Sequence, residues 1–353
     1  MKELKVVFLS DLQANHYKDL LITHLNKQFC YVEDYLPQLI FLPKVIQKFK
    51  PQVLHLHLLH PLFFSYSESK RWIKFFIFII QICILKLMGV KIVWTVHEWT
   101  DRFTNGKNYL YPIWARIIGK LFSAIIVHCN TTKIDIEKAF YLKDKEKVFV
   151  IPHGNYIGSY QNNICQIAAR EKLKIFSKKV VFLLFGNIHR TKGFLEAIDA
   201  FKELKETDIH LLIVGNPAED DVVNLIKSKI DNLDNILFVP KLIPDGEIQI
   251  YMNACDCVIV PYKVFTTSGV TILAMSFAKA CIAPNVGFFN DVLDEFGAFL
   301  YEPNDKEGLL SAMKNAISKR DFIAEMGKYN LELAQKWDWN YVARETVNIY
   351  RKN

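Results

Sequence analysis

The 353-residue chain has no block of like charge, no cysteine pairing pattern and no long uninterrupted apolar run, and each lack removes a class of protein. Its 44 Lys and Arg against 37 Asp and Glu leave seven surplus positive charges, scattered along the chain. Such a balance suits anionic partners such as phosphates or acidic lipid and gives no reason to expect nucleic acid. Seven cysteines are an odd number, and Cys83, Cys129, Cys257 and Cys281 lie inside apolar runs, as small core side chains do. They imply a reducing compartment rather than a disulfide framework. Cys255 and Cys257 form a C-x-C pair, but no second Cys or His pair stands nearby at zinc-ligand spacing, so no metal is expected. The first residues, MKELKVVFLSD, run into a strand pattern without a cleavable small-residue site, and a cytoplasmic location is expected. The greasiest stretch, 72–88 (WIKFFIFIIQICILKLM), is interrupted by Lys74, Gln81 and Lys86, whereas a spanning helix needs about 20 mainly apolar residues. It is not read as a span. Two readings stay open: a core helix, or an interfacial helix whose lysines reach the headgroups while Phe75, Phe76, Phe78 and Ile79 enter the lipid.

What is present is enough apolar material, 51% with 13% aromatic, to fill two cores at roughly 150 residues per domain. In the first half, strand patterns at 5–9, 53–58, 91–96, 124–128 and 147–151 alternate with helical patterns at 16–27, 37–49, 69–88, 109–122 and 132–141. After a patternless stretch, 155–163, the alternation restarts with strands at 180–185, 210–214, 236–239, 257–260 and 281–283. Helices at 193–205, 220–230, 246–253, 270–278 and 306–319 separate them. Strand and helix in strict turn mean an α/β protein with parallel sheets and helices on both faces. The pattern predicts two doubly wound domains, 1–158 and 165–335, and ligands of such sheets bind beyond the carboxyl ends of strands. A cleft between the domains is the expected site.

Three groups of residues carry chemistry. The run Phe185-Gly186-Asn187-Ile188-His189-Arg190-Thr191-Lys192-Gly193 joins a strand to a helix, with Gly186 to turn the chain, Gly193 to open the helix and three cationic types beside free N–H groups. A diphosphate suits it; a solvated basic loop is the competing reading. A second turn, Thr266-Thr267-Ser268-Gly269-Val270, places hydroxyls and N–H groups at another helix start, where an ordinary N-cap is the alternative. Two such turns in one domain suit the two ends of a diphosphate. In the first half, His97 and Glu98 end a strand at its carboxyl side, with Asp11, Gln13 and Asn15 after the first strand at the same edge. His55 and His57 share one strand face and are expected to pack. Glu219-Asp220-Asp221 begins a helix and is expected to complement its dipole rather than hold a metal.

Taken in order, L-H-x-H, W-T-V-H-E, I-P-H-G-N, F-G-N-I-x-x-x-K-G, A-C-D-C-V-I-V-P-Y and T-S-G-V-T-I-L-A-M-S-F-A-K-A-C-I-A-P make the chain resemble glycosyltransferase family 4 and its GT-B relatives. The resemblance implies two Rossmann-like domains facing a cleft, with the 336–353 helix crossing back to the first. It implies that Lys192, with Arg190 or His189 for the usual arginine, holds a donor diphosphate with Gly186 and Asn187. Thr267, Ser268, Gly269 and Val270 take its distal phosphate, Ile243 and its neighbours meet the base, and His97 lies by the reacting sugar. Most members carry two glutamates seven residues apart, whose places fall here on Thr266 and Ala274, and the glycine pair after the first strand is replaced by Ser10-Asp11-Leu12-Gln13-Ala14. This looks like a subgroup around exopolysaccharide mannosyltransferases. The expectation is a metal-independent, cofactor-free hexosyltransferase acting from GDP-mannose or a UDP-hexose on a glycan or polyprenyl-linked saccharide at an anionic inner-membrane face. A nucleotide-sugar epimerase and a non-catalytic partner subunit are the rival classes.

Overall fold

The computed structural model describes residues 3–11, 16–63, 65, 67–99, 111–175, 180–231 and 233–352, and the chain divides into two compact units. The first is Met1–Gly154 with Trp337–Asn353, the second Asn155–Lys336. Each is built on one six-stranded sheet.

In the first unit, β1 (Leu4–Leu9), β2 (Cys30–Tyr35), β3 (Val53–Leu56), β4 (Lys91–Thr95), β5 (Ala124–Val127) and β6 (Val148–Val150) lie in the order β2-β1-β3-β4-β5-β6, all parallel. The central strands β3 to β5 are buried almost throughout, which is why they read as continuous apolar runs. β2, CYVEDY, was not legible in the same way. It is an edge strand that keeps Glu33 and Asp34 partly exposed, so its apolar pattern is broken. The C-terminal helix, Trp339–Arg351, buries Trp339, Val342, Ala343, Val347 and Tyr350 in one core of this unit, and Asp338 caps it by accepting the Tyr341 N–H at 2.9 Å.

In the second unit, β7 (Val180–Phe185), β8 (Ile209–Val214), β9 (Ile236–Val239), β10 (Cys257–Ile259), β11 (Ala280–Pro284) and β12 (Ala298–Tyr301) run parallel in the order β12-β11-β10-β7-β8-β9. Short β12 is the second edge strand that the apolar pattern did not reveal. The order reverses between β7 and β10, so this pair marks the switch point of a doubly wound sheet. All seven cysteines are free thiols, and burial raises those of Cys255 and Cys281 to about 12.

Two expectations are corrected, the lipid-facing reading of the greasy segment and the extent of the helical pattern at 37–49. The Glu68–Leu87 helix turns Phe75, Phe78, Ile82 and Leu85 into the core, with Phe75 stacked on Trp114 at 4.3 Å between centroids, so Phe75 and Phe78 are not open to lipid. Burying each contributes about 1.5–3 kcal/mol. Ile79 is half-buried against the same core, and of the four residues named only Phe76 stands out, 57% exposed. The helical pattern at 37–49 shrinks to Leu42–Gln47, because Pro43 suits a first helical turn and the backbone before it bonds to the Gln81 side chain, at Leu39 and Phe41, instead of to a helical turn of its own. Among the described residues no helix is long and apolar enough to cross a membrane.

Candidate functional site

The two turns of the second unit converge. Gly186 follows β7 at φ +113°, and a Cβ there would touch Val270 Cγ2 at 3.2 Å. Residues 190–192 then form one tight 3-10 turn, and Gly193, at φ +69°, caps the Phe194–Glu203 helix with a backbone no Cβ fits, since the Pro261 carbonyl oxygen would be 2.0 Å away. The Lys263 N–H donates to the Thr191 carbonyl at 2.9 Å, and Lys192 Nζ lies 3.6 Å from the centroid of the Tyr262 ring. The strand ends β7 and β10 thus bring Lys192 beside the turn that carries residues 266–270.

In that second turn Ser268 is a helix cap: its Oγ accepts from the Thr271 N–H at 3.2 Å and from Thr271 Oγ1 at 2.9 Å. Its hydroxyl is thereby engaged, as the ordinary N-cap reading has it. The Thr267 hydroxyl is different, being buried without a hydrogen-bond partner among the described residues. A buried hydroxyl left unpaired is costly, and the Trp94 and Trp114 indole nitrogens of the other unit share that condition among the described residues. Gly269 opens the helix, and a Cβ on it would meet the Tyr156 hydroxyl at 3.5 Å, which places a tyrosine from the patternless 155–163 stretch at the same helix start.

The cations around Lys192 do not all serve one purpose. His189 Nε2 lies 2.9 Å from Glu219 Oε1, the Arg190 N–H donates to Glu219 Oε2 at 2.9 Å, and the Arg190 guanidinium pairs with Asp221. Two of the three cationic types are therefore matched to carboxylates, and Glu219 and Asp221 hold the turn as well as starting the Asp220–Lys229 helix. Asn187 Oδ1 accepts from Asn216 Nδ2 at 3.4 Å. Ile243 is buried at 6% exposure, with Leu242 beside it 70% exposed. Thr266 and Ala274 are both buried.

The first unit ends its strands in imidazoles. His57 follows β3, His97 lies just beyond β4, His128 follows β5 and His153 stands shortly after β6. His57 Nδ1 and His97 Nε2 share a proton across 3.1 Å, and the ring chain continues His97–His128–His153 at 5.5 and 5.4 Å between centroids. The Tyr17 ring packs against all four. His55 and His57 do pack on one strand face, 4.3 Å apart, with His55 bonded to Tyr350 at 2.5 Å and Thr95 at 2.7 Å. Burial is the main cause that pushes these imidazoles down, His128 to about 4, His153 and His55 to about 3, and His57 and His97 well below the ordinary value. Each is neutral at pH 7. Among the described residues no group of three or more His, Cys, Asp or Glu is arranged to hold a metal ion.

His97 and Glu98 are half-buried at the carboxyl end of β4, and Asp11 is exposed after β1. Gln13 and Asn15, expected on the acceptor side, lie outside the described residues. What the motif reading missed is the network around His97, although a histidine after each of four successive strands is visible in HLHLLH, WTVHE, IVHCN and IPHGN. Tyr156 and Tyr262 carried no such signal.

Two doubly wound parallel sheets in one chain define the class, a two-domain α/β protein. The family model described as Glycosyltransferase Family 4 matches residues 21–155, and Glycosyl transferases group 1 matches 166–332. The chain belongs to the family-4-like glycosyltransferases of GT-B fold. Among curated relatives, the GDP-mannose:glycolipid 4-beta-D-mannosyltransferase of Xanthomonas campestris pv. campestris is 30% identical over 138 residues, 38% of this chain and 40% of the relative. The chain thus spans well under half the length of that relative. In fold it is similar to the sucrose-phosphate synthase of Thermosynechococcus elongatus, with TM-score 0.77 and 16% identity over 99% of this chain and 98% of that one. It is also similar to Anabaena HepE in complex with UDP and glucose, with TM-score 0.74 and 17% identity over 98% and 99%.

Proposed function

We propose that the chain transfers a hexose from a nucleotide-diphosphate sugar, GDP-mannose before a UDP-hexose, to a glycan or polyprenyl-linked saccharide in bacterial surface polysaccharide synthesis. The reaction runs without a metal and at the inner face of the membrane. The observation that carries the donor half is the meeting of two strand-to-helix turns at the β7/β10 switch point, with Lys192 and the unpaired Thr267 hydroxyl beside the N–H groups that open the Gly269–Ser276 helix. Lys192 takes the diphosphate, with Gly186 and Asn187 giving it a close backbone approach. Thr267 and the N–H groups of Ser268, Gly269 and Val270 take the distal phosphate. Charge growing on the leaving diphosphate is met by the same cation and helix start.

Ser268 contributes backbone only, since its hydroxyl is spent on Thr271, and Arg190 and His189 act at one remove by fixing the turn on Glu219 and Asp221. Ile243 backs the base from beneath. With Thr266 and Ala274 in the glutamate positions, no carboxylate there meets the ribose or the sugar. On the acceptor side we assign His97 and Glu98 to catalysis, with Asp11, Gln13 and Asn15 beside them. A neutral His97 whose Nε2 donates to His57 Nδ1 keeps Nδ1 open to accept a proton. GDP-mannose is favoured because the Xanthomonas relative is named for that donor and for a glycolipid acceptor.

A thermal-shift panel of GDP-mannose, UDP-glucose and UDP-galactose tests this, because a ligand that binds only the folded chain must raise its melting temperature. GDP-mannose is expected to shift it most, followed by transfer to acceptor in the presence of EDTA. No shift with any nucleotide sugar overturns the donor site; conversion of the sugar without acceptor turns the reading to an epimerase.

A further inference from the structure

Tyr156 is the second residue of the second unit, and it is buried. Its backbone N–H donates to Ser276 Oγ at 2.9 Å, and that hydroxyl donates to the Ile272 carbonyl at 2.7 Å, so the residue is tied to the last turn of the Gly269–Ser276 helix. The residues beside it are tied as well. Asn155 Nδ2 donates to the Ala334 carbonyl at 2.8 Å, and Asn155 Oδ1 accepts the Ile157 N–H at 3.1 Å. The far end of the tyrosine reaches the other end of the helix, where its hydroxyl lies 3.5 Å from the place a Cβ on Gly269 would take. The ring thus lies along the helix from last turn to first. A side chain fixed at its root in this way presents its O–H at the helix start with little freedom left to lose on binding.

Among the described residues nothing in the fold asks for glycine at 269. Its φ is not positive, and the nearest atom a Cβ would meet is the Tyr156 hydroxyl, at an ordinary van der Waals distance. Alanine would fit there and would favour the helix. What glycine supplies is open space between the hydroxyl and the helix start. Charge makes the same turn receptive. The helices that follow β7, β8 and β9 carry Glu196, then Asp220 and Asp221, then Asp245 and Glu247 in their first turns, whereas the Gly269–Ser276 helix carries no acid in its own. The turn before it also holds the buried Thr267 hydroxyl, which has no partner among the described residues. Helix N–H groups, a space without a side chain and two hydroxyls suit a ligand group with several oxygens and negative charge, as a phosphate has. We propose that the Tyr156 hydroxyl donates a hydrogen bond to the distal phosphate of a nucleoside diphosphate across the space Gly269 keeps open, so that Tyr156 is a binding residue that favours diphosphates over monophosphates. This deepens the donor reading above and rests on it.

The experiment is calorimetric titration of the full chain with GDP and GMP and with UDP and UMP, on wild type, Tyr156→Phe and Gly269→Ala, with the melting temperature read on each protein. Wild type is expected to bind a diphosphate more tightly than its monophosphate. Tyr156→Phe keeps the ring along the helix and deletes the donor, so it should weaken the diphosphate roughly tenfold and leave the monophosphate within about twofold of wild type. Gly269→Ala narrows the space and should act in the same direction. The ratio of the two affinities is the deciding quantity, because a loosened turn would weaken both nucleotides together. Equal losses for diphosphate and monophosphate overturn the proposal, as does a Tyr156→Phe protein that binds the diphosphate like wild type, and in both cases the donor reading stands on wild-type binding. Should Tyr156→Phe lose its thermal transition, Gly269→Ala decides by the same ratio. Wild type that binds none of the four nucleotides strikes the donor reading, and the proposal falls with it.

Discussion

The two sheets of this chain share a parallel, doubly wound plan and differ in what they place at their carboxyl ends. In the second unit the strands end in glycines, helix starts, a lysine over an aromatic ring and one unpaired hydroxyl. In the first they end in a run of neutral imidazoles packed around Tyr17. The same topology thus produces one end rich in donors for an anion and another poor in charge but rich in groups that exchange protons. In the proposed reaction the difference separates holding a diphosphate from handling a hydroxyl, and it also separates two responses to pH.

The largest expected effect is acid destabilisation of the first unit. Its buried imidazoles have folded pKa values below the ordinary 6.5, so as pH falls the unfolded chain takes protons that the folded chain refuses. Stability is complete above about 6.5, falls through the window down to about 4 for His128 and about 3 for His55 and His153, and is level below. Within the window each group removes about 1.4 kcal/mol per pH unit, so His128 alone accounts for a loss on the order of 3 kcal/mol. All six tryptophans, Trp72, Trp94, Trp99, Trp114, Trp337 and Trp339, belong to the first unit, so their fluorescence reports on it. Urea midpoints at pH 7.5 and 5 should fall further by fluorescence than by far-ultraviolet circular dichroism, which sees both units. An unchanged fluorescence midpoint would break the contrast.

That contrast was only partly legible in the sequence. Central strands such as VVFLLF are buried on both faces and announce themselves as apolar runs, and Gly186 and Gly193 marked a turn whose backbone needs positive φ. Edge strand β2 escaped because a strand with one wet side keeps polar residues such as Glu33, and β12, AFLY, because four residues are too short a run to stand out. Pairings made across long sequence distances escaped for another reason. The bonds His57–His97, Arg190–Asp221 and Gln81–Phe41 each join residues about 30 to 40 positions apart, and only the crossover geometry brings them together. Local pattern marked where the ends of strands fall; it did not say which side chains meet there.

A second prediction sets two histidines of the first unit against each other. His97→Ala should lower turnover by about 10²- to 10⁴-fold, as removal of a positioned acid or base does. It should cost folding only about 1–3 kcal/mol for the partner bond lost to His57. His55→Ala, which strips bonds from Tyr350 and Thr95 deep in the core, should cost at least as much stability and leave the rate per folded molecule near wild type. Steady-state rates normalised to the folded fraction, beside denaturation curves, separate the two. Parallel losses in both variants would make His97 another packing residue and erase the functional half of the comparison.

The smallest effects probe whether the second unit's turns hold an anion through one cation or several. Lys192→Ala removes a charge-assisted bond worth about 1.5–3 kcal/mol and should weaken nucleoside diphosphate binding roughly ten- to a hundredfold by calorimetry. Arg190→Ala should weaken it much less, because that guanidinium already answers Asp221 at the exposed side of the turn and an exposed pair contributes about 0–1 kcal/mol. Thr267→Val falls between them. It keeps the shape of the side chain and deletes a hydroxyl that the protein leaves unpaired, so the free protein should be no less stable while the complex loses about one hydrogen bond, on the order of 1 kcal/mol. The decisive reading is the sign of the two changes together. If Thr267→Val weakens folding as much as binding, its hydroxyl has a partner within the fold. If Arg190→Ala outweighs Lys192→Ala, the ion pair with Asp221 opens on binding and the turn works through its arginine.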